Sequence, residues 1–165
     1  SFNHHFGEVF VLPEARLLST AKKVPGTDGE KMSKSYGNTL AIFDDEKAVR
    51  KQIMRISTDS RPMEDPKDPH TDHLFQLYQL FADEAAIREM EEKYRRGGFG
   101  YGDVKKALAE VAERYFAEPR ARRKELEARP DTVRDILRDG AARARERASQ
   151  VLDRAEQACG ISAPK

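Results

Sequence analysis

The chain has 165 residues, 38% hydrophobic and 36% charged, enough for one ordinary domain and part of another. Its 30 Lys and Arg face 29 Asp and Glu, a net charge of +1, so no global field draws in nucleic acid or an anionic membrane, and any such contact must be local. No apolar run reaches a membrane span, and the start lacks the basic and apolar regions of a signal peptide, which disfavours membrane insertion and secretion. The single cysteine, Cys159, excludes an internal disulfide and any multi-cysteine metal site, in keeping with a reducing compartment. With eight Phe, five Tyr and no Trp, a ring-rich platform for stacking bases is disfavoured too. A chain opening on Ser1 straight into Phe2, Phe6, Val9 and Phe10 reads as part of something larger.

Residues 1–43 read as short mixed runs punctuated by Gly and Pro, whereas residues 44–160 read as helix after helix, so a domain boundary is placed at residue 43. Residues 8–12, Glu8-Val9-Phe10-Val11-Leu12, predict a strand or strand-like segment that stops at Pro13, followed by a short helical turn over residues 14–18. Residues 21–38 lack an apolar period and contain Pro25, Gly26, Gly29 and Gly37, which predicts a mobile loop. Asp44-Asp45-Glu46 supplies an acidic first turn ahead of the apolar face Ala48, Val49, Ile53 and Ile56, a helix start. Residues 57–71 carry three prolines and read as an ordered turn or linker. Asp72 is read as the N-cap of a helix with Leu74, Leu77, Tyr78 and Phe81 on one face. Ile87, Met90 and Tyr94 mark another helix, ended by Gly97-Gly98. Val104, Leu108, Val111 and Tyr115 mark a further one, which Pro119 kinks or breaks. A last helix runs from Pro130-Asp131 to Gly160, and its small residues Gly140, Ala141, Ala144 and Ala148 predict a seam against a neighbouring helix.

The loop from Gly26 to Asn38 combines two lysines three apart, two serine hydroxyls beside them and flanking glycines, which is what a polyphosphate needs. Ammonium groups neutralise charge developing on a departing pyrophosphate, while hydroxyls and free backbone N–H groups bond phosphate oxygens. A solvated basic turn has the same composition, so composition alone leaves both readings open.

The string Lys31-Met32-Ser33-Lys34-Ser35 resembles the second signature of class I aminoacyl-tRNA synthetases. Residues 10–17 (FVLPEARL), Ser35-Tyr36-Gly37-Asn38, Thr58-Asp59-Ser60, residues 98–108 (GFGYGDVKKAL) and residues 136–160 extend the likeness over nearly the whole chain. Together they resemble the C-terminal portion of bacterial-type tryptophanyl-tRNA synthetases. That resemblance implies a mainly α fold, with a helical bundle that binds the tRNA anticodon region (residues 44–165) behind the tail of a Rossmann-type α/β catalytic domain (residues 1–43). The implied reaction has two steps: tryptophan attacks the α-phosphorus of ATP, releasing pyrophosphate, and tRNA(Trp) then accepts the amino acid. Carried over by position, Lys31 and Lys34 would be the catalytic cations, Lys34 the more important. Met32 would lie near adenine, and Ser33 and Ser35 would bond phosphate or order the loop, with Mg²⁺ on the phosphates and no metal held by protein ligands. The resemblance further implies a cytoplasmic enzyme, homodimeric as a whole and with no membrane partner. The chain lacks a His-x-Gly-His signature, so residues 1–165 alone are expected to make no adenylate, and tryptophan-dependent pyrophosphate exchange above background would refute that.

His4, His5, His70 and His73 are weighed as metal ligands and set aside, because a proline-flanked loop is a poor rigid frame. Cys159 lacks a charged neighbour that would activate it. Arginines accumulate from residue 120 onward, and two readings compete for them: a solvated helix face laced with ion pairs, or a phosphate-tracking tRNA surface with Arg143 and Arg147 as its contacts. The rival identities are a tyrosyl-tRNA synthetase fragment and a stand-alone helical tRNA- or protein-binding module.

Overall fold

The computed structural model describes residues 1–16 and 23–161. Their elements are α1 (Phe2–Phe6), a 3₁₀ turn (Lys34–Tyr36), α2 (Glu46–Met54), α3 (His73–Tyr78), α4 (Glu84–Arg96), α5 (Tyr101–Tyr115), α6 (Ala117–Glu127) and α7 (Pro130–Cys159). The mainly helical expectation holds. Two compact units are present: one of Leu17–Ala121, the other of Ser1–Arg16 with Arg122–Lys165. Residue 43 falls inside the first.

In the larger unit the helix starts follow local rules. Asp45 caps α2 by accepting from the Lys47 N–H at 2.9 Å, and Asp72 caps α3 by accepting from the Leu74 N–H at 2.7 Å. Asp83 does the same for α4 through the Ala86 N–H at 2.9 Å. Gly97, with φ +74°, ends α4, and a Cβ there would strike the Glu64 carbonyl, so only glycine lets these segments meet. Pro119 breaks rather than kinks: α5 stops at Tyr115 and the proline sits in the first turn of α6, where its missing N–H costs nothing.

The core lies where α2 and α3 pack on α5. Val49 and Ile53 of α2, Leu74, Phe75 and Leu77 of α3, Met90 and Tyr94 of α4, and Val104, Leu108 and Val111 of α5 are buried together. Each large side chain contributes about 1.5–3 kcal/mol by leaving water. The Tyr94 ring stands edge-on to Phe75 (5.3 Å) and tilted against Phe99 (4.9 Å).

Residues 57–71 form no helix or strand, as their prolines predict, yet they are organised by a residue that periodicity does not flag. Lys67 is 3% exposed, and its ammonium donates to the carbonyls of Pro62 and Asp65 (3.0 Å each) and of Met63 and Phe99 (3.4 Å each). It also lies 4.6 Å from the Phe99 ring centroid. Arg120 ties the start of α6 to the chain before α2, its Nε donating to the Ile42 carbonyl at 2.8 Å.

Two expectations fail in the smaller unit. Residues 8–12 form no strand: Val11 is 94% exposed and Leu12 70%. The Asn3 side chain instead accepts from the Phe10 N–H (3.0 Å) and donates to the Phe10 carbonyl (2.7 Å), while the Phe2 ring packs on Phe6 and Phe10. Backbone groups that a strand would pair with a neighbour are taken by a side chain, and no strand is present among the described residues to pair with. Of the helical turn expected over residues 14–18, residues 14–16 are not helical, and Leu17 and Leu18 lie outside the described residues.

The second failure concerns α7. Its bounds match the expectation, from Pro130 to a left-handed Gly160 (φ +76°), but the Gly/Ala stripe is no seam in this structure. Ile136 and Leu137 are exposed, and a Cβ on Gly140 would meet nothing within 4 Å.

Candidate nucleotide-binding loop

Residues 23–38 form a hydrogen-bonded hairpin and a 3₁₀ turn; the loop's expected first residues, Ala21 and Lys22, lie outside the described residues. Pro25 and Lys31 form an antiparallel bridge, with the Met32 N–H donating to Val24 (2.9 Å) and the Gly26 N–H to Glu30 (2.6 Å). The segment is thus a small hairpin whose tip is residues 26–29. Lys34–Tyr36 then turn as a 3₁₀ segment closed by Gly37 at φ +68°.

Asn38 joins the two halves. It is 2% exposed, its Oδ1 accepts from the Ser33 N–H at 2.8 Å, and its Nδ2 donates to Asp28 Oδ1 at 2.8 Å and to the Lys31 carbonyl at 3.2 Å. A Cβ on Gly26 would collide with this amide, which is why the tip carries glycine there. The hydrogen bond from Asn38 holds the Asp28 carboxyl below the usual carboxylate range. The hairpin tip is fastened to the helices as well: the Ser57 N–H donates to the Thr27 carbonyl at 2.9 Å, and His73 Nε2 donates to the Ser57 carbonyl at 2.8 Å.

On this frame Lys31 and Lys34 are exposed, and among the described residues neither ammonium makes a hydrogen bond or ion pair. Ser33 and Ser35 share a hydrogen bond between their hydroxyls at 2.8 Å, and Met32 packs partly buried against the core. The five motif residues are therefore brought together, cations outward and thioether inward. Sequence reasoning missed Asn38, Asp28, Ser57 and His73 as the loop's supports. Gly26 and the Asp28-Gly29 turn were the available signal.

Other candidates fall differently. His73 serves the loop tip, and no group of three or more His, Cys, Asp or Glu among the described residues is placed to hold a metal. Cys159 Sγ donates to the Ala155 carbonyl. On α7, Asp131–Arg134 (2.6 Å), Asp135–Arg138 (2.8 Å) and Asp139–Arg143 (3.1 Å) are ion-paired, so Arg143 is neutralised locally. Arg147 is exposed and makes no ion pair among the described residues. No described helix is long and apolar enough to cross a membrane.

Residues 1–117 match the family model described as "tRNA synthetases class I (W and Y)". The chain is 66% identical over 161 residues to the tryptophan–tRNA ligase of Rhodopirellula baltica and 43% identical over 159 residues to that of Campylobacter jejuni. These alignments cover 98% and 96% of this chain but 50% of each relative, so the chain spans about half their length. A crystal structure of the Campylobacter jejuni tryptophanyl-tRNA synthetase, complexed with ADP and tryptophan, superposes with a TM-score of 0.76 at 43% identity, covering 96% of this chain and 50% of that one. The hairpin and 3₁₀ turn that present Lys31 and Lys34 lie within the matched span, and the chain belongs to the class I tRNA synthetases of the tryptophan and tyrosine group.

Proposed function

We propose that this chain is the lysine-loop and helical portion of an ATP-dependent tryptophan–tRNA ligase. The observation that carries the reading is the pair of exposed, uncompensated ammonium groups at 31 and 34, held three residues apart on a fastened hairpin and the 3₁₀ turn that follows it. As tryptophan attacks the α-phosphorus of ATP, negative charge builds on the departing pyrophosphate, and Lys31 and Lys34 meet it there. Interactions stronger in that transition state than in bound ATP raise the rate rather than the affinity. Ser33 and Ser35 supply hydroxyls to phosphate oxygens; the reading places Met32 near the adenine, toward which its thioether must turn from the core that it packs against here. Asp28 is engaged by Asn38 and the Glu30 N–H, and Mg²⁺ would ride on the ATP phosphates.

Residues 1–43 then belong to the end of the catalytic domain and residues 44–165 to the domain that receives tRNA(Trp). Arg143 and Arg147, one turn apart on α7, are its phosphate contacts. Arg147 is ready for an anion, whereas Arg143 must exchange Asp139 for one. A cytoplasmic homodimer belongs to the same reading.

The test is Lys34→Ala in the complete gene product. Amino-acid-dependent ATP–pyrophosphate exchange should fall by about 10²–10³-fold, with tryptophan affinity little changed. Exchange at the wild-type rate sinks the reading. Exchange driven by tyrosine and not tryptophan transfers it to the tyrosine member of the family.

A further inference from the structure

A cation on a loop stabilises a transition state only if its backbone is already where the charge will appear. Ordering a residue costs conformational entropy, and a misplacement of about 1 Å costs roughly 10²-fold in rate. The bridge between residues 25 and 31 fixes Lys31, but it stops short of the 3₁₀ turn that carries Lys34. One side chain spans both. Asn38 follows the turn, is buried, and bonds the backbone on either side of Met32, at the Lys31 carbonyl and the Ser33 N–H, while its third bond reaches back to Asp28 at the hairpin tip.

We infer that Asn38, braced by Asp28, is the positioning residue that sets Lys31 and Lys34 in register for the departing pyrophosphate. The inference rests on the reading of the two lysines given above. Every polar atom of the Asn38 side chain is used in this brace, with donor toward residue 28 and acceptor toward residue 33, so the polarity itself is testable. In Asn38→Asp the acceptor toward Ser33 survives, but an oxygen faces the Asp28 carboxylate and the Lys31 carbonyl. Adding Asp28→Asn turns the contact round: an amide at 28 donates to a carboxylate at 38 and the loop keeps its original charge, at the loss of the bonds from the Glu30 N–H and to the Lys31 carbonyl, so recovery is partial.

The experiment is pyrophosphate exchange by the complete gene product, with kcat and the KM for tryptophan measured separately. Asn38→Asp should lower kcat by roughly 10²-fold with that KM moved less than about threefold, and Asn38→Asp/Asp28→Asn should return to within about tenfold of wild type. Asn38→Asp/Glu30→Gln restores the same net charge without the bond and should not recover. Recovery by the Glu30 variant equal to that of the Asp28 variant means that charge alone is at work and overturns the proposal, as does an Asn38→Asp kcat within about threefold of wild type. Should Asn38→Asp fail to fold, Asp28→Ala, at an exposed position, must by itself lower kcat about tenfold, and a value within twofold of wild type overturns the proposal. Lys34→Ala is run alongside. If it exchanges like wild type, the lysine reading falls; if it is crippled while Asn38→Asp is not, only the positioning role does.

Discussion

Lys67→Met tests whether a single buried ammonium organises residues 57–71. The side chain is 3% exposed, with bonds of 3.0 Å to the Pro62 and Asp65 carbonyls and longer ones to Met63 and Phe99. Counting the two short bonds at about 1.5–3 kcal/mol each for a charged donor, and about 1 kcal/mol for the contact with the Phe99 ring, gives roughly 4–7 kcal/mol lost. Methionine has a similar length and carries no charge into the interior, which offsets several kcal/mol of desolvation and leaves a net destabilisation of about 2–4 kcal/mol. For a chain of this size that is roughly 5–15 °C in Tm. Urea unfolding with the slope compared between variants measures it. A second readout is amide exchange at the Lys67 N–H, bonded to the Tyr94 carbonyl at 2.8 Å, which should accelerate with its neighbours. A loss under about 1 kcal/mol, or a gain, would refute the reasoning, because the four carbonyls would then be satisfied by water.

Further outcomes follow from the same geometry. Asp72→Ala removes the acceptor for the Leu74 and Phe75 N–H groups and should cost about 1 kcal/mol in denaturant unfolding, with Asp72→Ser close to wild type. Gly140→Ala places a methyl in open space on an exposed helix face and should stabilise this chain by about 0.5–1 kcal/mol; destabilisation would restore the packing seam that the stripe of small residues suggested. The Asp28 carboxyl is depressed below 3.8 in the folded chain, so its contribution is present above that value and fades as the pH falls through the lower folded value. Hairpin amides watched by NMR should therefore stay in place at pH 5 and release only in stronger acid.

The parts of this protein legible in its sequence are those governed by neighbours within about one helical turn. The Asp72 cap acts within three residues, the Gly97 and Gly160 stops act on the turn before them, and the apolar spacings of α2, α4 and α5 name their buried faces. The motif at residues 31–35 belongs here too, because five contiguous side chains need no fold to be recognised. What tertiary structure decided lies farther apart along the chain: Lys67 reaching Phe99, Ser57 holding Thr27, Asn38 clasping Asp28. Periodicity cannot register these, since a buried polar residue is stable only through partners that folding brings to it. The same reason accounts for the errors at both ends. The apolar run at residues 8–12 and the small-residue stripe of α7 have the composition of a strand and a seam, but each needs an opposing surface, and composition cannot supply one.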